Sequence, residues 1–271
     1  MQKFNYHTHT YRCLHANGTD EEYVVAAIKA GLKVLGFSDH VPHPGYETHP
    51  SRMPYSMKDE YLTSLKALKE KYKDQIDIKI GFECEYYPEY EEYYRELRQE
   101  VDYLILGQHS GFPSMRADYY YEFSQKDYDD YARTCIDGMR TGLFAYLCHP
   151  DYVLLNIDDF DDELIEMFHK IFKVAKECDV PIEINLNGPN KPKRMVNGRL
   201  AHSYPNEEIL KIAKDYGCRF VYGADAHDPK QITRFAELQV YVEDLLKDLK
   251  IEVDKDFKVW LRTLKSGDLR K

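Results

Sequence analysis

Short apolar runs recur along the chain, and each run ends in polar or ionisable residues. The runs are rich in β-branched and aromatic side chains, and most have the length of one strand. Seven of them are predicted to be strands: residues 4–9, 34–40, 76–85, 103–109, 144–149, 182–187 and 220–227.

Helical patterns occupy most of the intervals between these runs. Residues 20–30 open with an acidic capping turn and stop at Gly31, and residues 57–71 show apolar positions spaced by three and four. Further helices are predicted at residues 89–100, 127–140, 164–178 and 207–216. Strands that alternate with helices indicate a parallel sheet, and right-handed crossovers allow seven such units to close into a barrel.

The segments outside this pattern are predicted to be loops and a tail. Residues 38–55 and 188–205 predict long loops that follow strands, and residues 240–271 predict a charged helical tail. No low-complexity linker divides the 271 residues, and (β/α) barrels of about this length form one domain. We therefore expect one α/β barrel domain over residues 1–271.

The overall charge narrows the class of partner. The chain has a formal net charge of −10 at pH 7 and no visible basic face, so we expect no nucleic-acid partner. A small anionic substrate stays compatible with this net charge, because metal ions can supply positive charge locally.

The apolar runs also predict the location of the protein. No apolar run reaches the roughly 18 residues of a membrane span, and no apolar signal region opens the chain, so we expect a cytoplasmic protein without a membrane partner.

Ionisable side chains lie where the predicted strands end. In a parallel barrel these ends face one rim, so the side chains are predicted to converge on one bowl. Alternation along a strand also places His7 beside His9 and Asp225 beside His227. The set contains seven imidazoles and two carboxylates: His7, His9, His15, His40, Glu83, His109, His149, Asp225 and His227.

Metal coordination explains this set better than hydrogen bonding in a core does. A single buried histidine is usually a hydrogen-bonded core residue, but burying so many polar groups without partners would cost several kcal/mol. Nine ligands exceed the three or four that one zinc ion takes, so they indicate two or three ions. Imidazole with carboxylate favours Zn, Mn, Fe or Co over Mg or Ca. The six cysteines are expected to be free thiols, with thiolate ligation at Cys13, Cys84 or Cys148 as the less favoured alternative.

The motifs that carry these residues resemble the polymerase-and-histidinol-phosphatase (PHP) family over about residues 4 to 235. They are His7-Thr8-His9, Cys13-Leu14-His15, Ser38-Asp39-His40, Gly81-Phe82-Glu83, Gly107-Gln108-His109, Cys148-His149-Pro150 and Gly223-Ala224-Asp225-Ala226-His227. The resemblance implies a distorted (β/α)7 TIM-like barrel with three divalent ions, Zn, Mn or Fe, at the C-terminal strand ends. The implied ligand sets are His7, His9, Glu83 and Asp225 for the first ion, Glu83, His109 and His149 for the second, and His15, His40 and His227 for the third.

Within this family, the length and the motif order most resemble the stand-alone histidinol-phosphatases. This implies a phosphomonoesterase that hydrolyses L-histidinol phosphate to L-histidinol and phosphate in histidine biosynthesis, with a small phosphorylated metabolite as its partner. Three alternatives stay open: a family phosphoesterase with another substrate, a metal-dependent amide or ester hydrolase, and a metal-binding protein without turnover.

The hypothesis for the chemistry is attack on phosphorus by a metal-activated water. Glu83 would bridge two of the ions. Asp39 is a further catalytic candidate. It neighbours His40 but points the opposite way by alternation, so it is expected to support the site rather than to act directly. The leaving group needs a proton, for which His43 or a metal-bound water is a candidate.

Substrate contacts are predicted from the loops on the same rim. Arginine suits bidentate phosphate binding, which makes Arg194, Arg199 and Arg116 candidates. An amine-bearing substrate also needs a carboxylate. The candidates for that contact are Glu85, Asp118 and Glu122.

Overall fold

A ring of parallel strands forms the centre of the structure, a computed structural model that describes residues 1–48, 50–111 and 118–259. The ring contains β1 (Phe4–Asn5), β2 (Val34–Phe37), β3 (Asp77–Cys84), β4 (Tyr103–Leu106), β5 (Ile182–Asn185) and β8 (Phe220–Gly223). Outside the ring, β6 (Arg194–Val196) and β7 (Arg199–Ala201) form a separate antiparallel pair. Strands β1 to β4 pair in chain order, and β5 pairs with β8. Leu147 joins the two sheets through Leu106 and Ile182, and Thr8 pairs with Ala226 to close the ring. The predicted distorted (β/α)7 barrel is confirmed.

The predicted strand over residues 144–149 is reduced to one paired residue, Leu147. Its backbone still bonds to both sides, because Leu147 N–H donates to Pro181 O and Cys148 N–H donates to Leu106 O. The chain then turns at His149, whose φ of 22° lies in the left-handed region. Most other strands also end before their polar residues, so the ionisable side chains lie at the start of the following loops.

Helices cover the outside of the ring. They are α1 (Asp20–Lys29), α2 (Lys58–Lys71), α3 (Glu91–Glu100), α4 (Tyr128–Arg140), α5 (Asp162–Glu177), α6 (Glu207–Asp215), α7 (Pro229–Thr233) and α8 (Phe235–Leu245). The first six confirm the predicted helices to within two residues, and the acidic turn before α1 is a capping box between Thr19 and Glu22. Helix α7 was absent from the prediction, and α8 overlaps the predicted helical tail over residues 240–245. Within the described residues, no helix is long and apolar enough to cross a membrane.

The predicted loop at residues 188–205 contains the antiparallel hairpin β6–β7. Its turn is Asn197-Gly198, and both residues have positive φ, 47° and 72°. Asn-Gly favours this left-handed backbone, so the hairpin had a local signal that the loop prediction did not use. The loop at residues 38–55 has no regular helix or strand among its described residues.

The helical prediction for residues 240–271 is wrong beyond α8 for the residues that the structure describes. After a short 3-10 turn at Lys247–Leu249, the described chain forms no further α-helix, and Val253 pairs with Phe220 at the start of β8. Phe257 and Val259 are buried in a cluster with barrel residues. Packing of these apolar side chains against the barrel outweighs local helix propensity here. Residues 260–271 lie outside the described residues.

Aromatic side chains fill the barrel near the start of its strands. Tyr6, Tyr103, Tyr146 and Phe257 belong to one buried cluster. The Tyr103 hydroxyl contacts two backbone carbonyls, at 2.7 Å from Tyr6 O and 2.9 Å from Phe37 O. Because this end of the barrel is apolar and filled, the ionisable residues collect at the opposite end.

Candidate metal centre and active site

The nine predicted ligand residues come together at the C-terminal end of the barrel. Glu83 lies within β3, and its backbone pairs with that of His40. The other ionisable residues follow their strands or bridges directly, except for His15, which follows the 3-10 turn Tyr11–Cys13. The sequence therefore placed each residue correctly at this rim, although its strands are shorter than predicted.

Glu83 lies at the centre of the group and is 1% exposed. Its Oε1 lies 2.9 Å from His149 Nε2, 3.3 Å from His109 Nε2 and 3.4 Å from His7 Nε2. Its Oε2 lies 3.0 Å from His40 Nδ1 and 3.5 Å from His9 Nε2. The two oxygens of one carboxylate therefore face two different sets of imidazoles, as a bridging ligand requires.

Asp225 supplies the second carboxylate. Its Oδ1 lies 3.3 Å from His9 Nε2 and 3.6 Å from His7 Nε2. Its Oδ2 accepts hydrogen bonds from the side-chain amides of Asn185 and Asn187, at 3.2 Å and 3.3 Å. These two amides fix the carboxylate and leave Oδ1 directed at the histidines.

A third group lies at the outer edge of the bowl. His15 Nε2 and His227 Nε2 are 3.0 Å apart. The other ring nitrogen of each points to a backbone carbonyl, with His15 Nδ1 at 2.7 Å from Cys13 O and His227 Nδ1 at 2.9 Å from Asp225 O. Together with His40, these two histidines offer ligand atoms within 4.8 Å of one another.

Several buried polar atoms in the bowl have no hydrogen-bond partner among the described residues. They are His7 Nε2, His9 Nδ1 and Nε2, His40 Nδ1, His149 Nδ1 and Glu83 Oε2. Buried polar atoms in folded proteins almost always have a partner, and each orphan is costly. Divalent ions that accept imidazole and carboxylate ligands would satisfy most of these atoms, so the donor set fits such ions.

The electrostatics of the bowl favour ionised carboxylates. Burial alone raises the pKa of a carboxyl group, but His109 and His7 outweigh burial and hold the pKa of Glu83 well below its usual range. His7 and His227 have the same effect on the pKa of Asp225. Both carboxylates are therefore negatively charged at neutral pH.

Most of the imidazoles are kept neutral. Burial, together with repulsion between neighbouring rings, lowers the pKa of His9 and His40, and lowers that of His15 and His227 to about 4. A neutral imidazole keeps the lone pair that a metal ion requires. His7 and His109 are exceptions, since nearby carboxylates outweigh burial and raise the pKa of His7, and raise that of His109 to about 9.

Glu83 and a second carboxylate behind each ring cause these two exceptions. Glu183 Oε1 lies 2.8 Å from His7 Nδ1, and Glu85 Oε1 lies 2.9 Å from His109 Nδ1. Glu85 is also bound by both terminal nitrogens of Arg52, at 2.9 Å and 2.8 Å. The sequence analysis did not identify Glu183 as a site residue. Its alternation with Asn185 along the sixth predicted strand was the available signal.

The buried cysteines lie close to the same ligands. Cys13 groups with His9 and His227, and Cys148 groups with His7 and Glu83. Burial raises the pKa of both thiols, which favours the protonated form over a thiolate. None of the six cysteines forms a disulfide, as predicted, and all six lie in the described part of the chain.

The structure places Asp39 and His43 outside the centre of the bowl. Asp39 accepts hydrogen bonds from the backbone N–H and the hydroxyl of Thr10, at 2.8 Å and 2.5 Å, and lies 3.9 Å from His9 Nδ1. It therefore lies behind His9, a position that fits a supporting role rather than direct chemistry. His43 is buried with Nε2 at 3.0 Å from the Tyr94 hydroxyl and Nδ1 at 3.4 Å from Arg52. This position, behind the Arg52–Glu85 pair, does not favour direct proton transfer to a leaving group.

The structure describes two of the three predicted phosphate-binding arginines, Arg194 and Arg199. Arg194 donates to Leu154 O at 2.7 Å and to Ile157 O at 3.0 Å, and it pairs with Asp158. These contacts fasten the β6–β7 hairpin to a neighbouring turn and occupy the guanidinium, which argues against the predicted role. Arg199 is exposed on β7, and Arg116 lies outside the described residues.

Comparison with known proteins adds three findings. The PHP domain family matches residues 5–187. A “Probable histidinol-phosphatase” of Deinococcus radiodurans is 29% identical over 250 residues, which cover 88% of this chain and 92% of the relative. One of Schizosaccharomyces pombe is 26% identical over 255 residues, covering 83% and 81%. The fold is similar to that of histidinol phosphate phosphatase from Lactococcus lactis, solved with Zn, L-histidinol and phosphate (TM-score 0.66, 18% identity, 93% and 95% covered).

Gly107 leaves the space that the Glu83 carboxylate occupies. A Cβ atom at Gly107 would lie 2.1 Å from Glu83 Oε1 and 2.8 Å from its Cδ. We expect Gly107→Ala to displace the carboxylate and to weaken metal binding by about 10- to 100-fold, although no ligand is replaced. Bound metal, measured by elemental analysis after dialysis, checks this.

Gly45→Ala is the control for the Gly107 variant. Gly45 has a positive φ of 86° and no atom within 4 Å of an added Cβ, so this change strains the backbone without touching the bowl. Normal metal content in Gly107→Ala would show that the packing of Glu83 against Gly107 is not needed for metal binding.

Proposed function

This chain belongs to the PHP domain family, and we propose that it is a metal-dependent histidinol-phosphatase, which hydrolyses L-histidinol phosphate to L-histidinol and phosphate. One observation carries this proposal: seven imidazoles surround Glu83 and Asp225 at the open end of the barrel. The relatives matched over most of their length support the choice of substrate. That substrate is a small phosphorylated metabolite rather than a nucleic acid.

Three divalent ions, Zn, Mn or Fe, would occupy the bowl. The proposed ligands are His7, His9, Glu83 and Asp225 for the first ion, Glu83, His109 and His149 for the second, and His15, His40 and His227 for the third. Glu83 Oε2 lies 3.5 Å from His9 of the first set, and Oε1 lies 3.3 Å and 2.9 Å from His109 and His149 of the second, which supports the bridging role. The proximity of His15 Nε2 and His227 Nε2 supports a shared ion at the outer edge.

The ions, when bound, supply charge for the phosphoryl oxygens and lower the pKa of a coordinated water toward neutrality. The residues of the chain leave part of the positive charge of the ions uncompensated. The four buried carboxylates of the centre, Glu83, Asp225, Glu183 and the Arg52-paired Glu85, do not offset three divalent ions. The bowl therefore attracts a phosphate dianion although the chain as a whole is acidic. The filled, apolar end of the barrel allows substrate to approach from the rim alone.

The ammonium group of the substrate needs a carboxylate, and Asp118 is best placed to provide it. Its backbone pairs with that of Ser110, and the next residue, Tyr119, donates its N–H to His109 O at 2.8 Å, so Asp118 lies beside the bowl. The side chain is half-buried and accepts a hydrogen bond from Tyr120 N–H at 2.8 Å. Burial raises the pKa of Asp118. No lysine or arginine of the described residues forms an ion pair with it, so an ammonium would supply the missing counter-charge.

The other two carboxylates considered for this contact are already occupied. Glu85 is fully buried and bound to Arg52 and His109. Glu122 is exposed to solvent and pairs with Lys126 at 2.6 Å. Asp118 is therefore the proposed specificity residue for the amine.

The proposed activity is tested by steady-state hydrolysis of L-histidinol phosphate beside a panel of other phosphomonoesters and a cyclic amide. We expect the highest kcat/KM for L-histidinol phosphate, complete loss of turnover after chelation, and recovery with Zn or Mn, because the ions supply the nucleophile. Turnover that survives full metal removal would contradict the metal-dependent chemistry. A clear preference for another ester, or for the amide, would contradict the proposed substrate.

Replacement of Asp118 tests the recognition of the amine. We expect Asp118→Asn to raise KM for L-histidinol phosphate about tenfold or more, because a charge-assisted hydrogen bond is lost. Hydrolysis of p-nitrophenyl phosphate, which has no amine, should be unchanged. Glu122→Gln is the matched control and should affect neither substrate. An equal loss on both substrates in Asp118→Asn would rule out a role in amine recognition.

A further inference from the structure

Two histidines of the bowl share one arrangement. His7 and His109 each direct Nε2 toward Glu83, at 3.4 Å and 3.3 Å, and each directs Nδ1 toward a second, buried carboxylate. Such a carboxylate fixes the orientation and the tautomer of the ring and makes the opposite nitrogen a stronger ligand. The barrel thus holds two carboxylate–histidine pairs on either side of Glu83.

The two supporting carboxylates have different surroundings. The charge of Glu85 is shared with Arg52, which binds both of its oxygens. Glu183 has neutral hydrogen-bond partners on its other oxygen, namely the His149 backbone N–H at 3.2 Å and the Asn185 amide at 3.0 Å. No lysine or arginine in the described part of the chain forms an ion pair with Glu183. Its full charge is therefore directed at His7.

The backbone is shaped around Glu183. A Cβ atom at Gly223 would lie 1.6 Å from Glu183 Oε1 and 2.4 Å from its Cδ, so no residue other than glycine fits beside this carboxylate. The same relation holds between Gly107 and Glu83. Glu183 and Glu83 thus each need a glycine beside them. Gly223 is the last residue of β8, next to β5, and Gly107 directly follows β4, next to β3.

The histidines also differ in their access to solvent. The His7 side chain is fully buried, whereas that of His109 is 13% exposed. His7, whose carboxylate Glu183 has no basic partner among the described residues, therefore lies deep in the barrel. His109, whose carboxylate Glu85 also binds Arg52, lies near the rim.

We propose that Glu183 and Glu85 are positioning residues of unequal strength, which give the centre a tightly held metal position at His7 and a more exchangeable one at His109. Glu183 strengthens His7 as a ligand through an unshared negative charge. Glu85, partly neutralised by Arg52, orients His109 while adding less to its strength. This inference rests on the proposed metal centre and concerns the affinity of each position, not the identity of the substrate.

The first test is Glu183→Gln. The glutamine oxygen can still accept the hydrogen bond from His7 Nδ1, so the change removes the charge and keeps this contact. The glutamine NH2 group then faces the His149 N–H and the Asn185 amide, which donate to Oε2 in the wild type. We expect the metal-free variant to unfold at a lower temperature than the wild type, because two buried donors lose their acceptor. At a temperature where both proteins are folded, we expect the tightest ion to bind about 10- to 100-fold more weakly in a zinc titration against a chromogenic chelator. Glu91→Gln is the matched control, since Glu91 pairs with Tyr86 and Arg95 on α3. Wild-type affinity in Glu183→Gln would overturn the proposal.

The second test is the double variant Glu85→Gln/Arg52→Met. Removing both charges avoids leaving Arg52 buried without its partner. We expect this variant to keep the affinity of the tightest ion and to lose affinity at the weaker positions by a smaller factor than Glu183→Gln loses at the tightest. A larger loss in the double variant would reverse the proposed order and overturn the inference.

The wild-type protein provides a third measurement, which does not depend on how any variant folds. In the zinc-loaded protein, the Nδ1–H proton of His7 should resonate further downfield than that of His109, because its acceptor carries the less compensated charge. Equal or reversed shifts would contradict the unequal support. Turnover of L-histidinol phosphate by wild type together with unaltered metal binding in Glu183→Gln would remove this inference and leave the proposed function intact.

Discussion

The structure depends on one buried carboxylate, Glu83, held among imidazoles where a parallel barrel closes. A carboxylate at this depth is costly unless positive or hydrogen-bonding groups surround it. The barrel supplies them because each strand delivers its next side chains to the same rim. His149 and His40 approach opposite oxygens of Glu83, so the group forms around the carboxylate rather than beside it. Gly107 completes the arrangement by leaving room for Oε1.

One end of the barrel stabilises the fold, and the other end carries the candidate active site. The end near the strand starts is filled by tyrosines and closed by Phe257 from the C-terminal segment, so apolar packing holds it together. The other end collects the ionisable groups and leaves buried polar atoms without partners among the described residues. Concentrated, unsatisfied polarity beside a well-packed core is typical of a functional site.

The sequence predicted the site better than it predicted the connections around it. The ligand candidates followed from apolar runs that end in ionisable residues, and that pattern survives even where strands are short, as at Leu147. The contacts of Arg194 with Leu154 and Ile157 and the packing of Phe257 depend on tertiary neighbours, which local patterns do not contain. Glu183 was missed for a related reason, since its role depends on its contact with His7, which is far away in the sequence.

The most direct test of the account is anomalous diffraction from crystals of the metal-loaded protein, collected at the absorption edge of the bound element. We predict separate peaks on either side of Glu83, each within bonding distance of one carboxylate oxygen, with Asp225 Oδ1 near one of them and His15 and His227 near a third. Fully loaded crystals in which both Glu83 oxygens contact imidazole nitrogens alone, with no ion beside them, would contradict it.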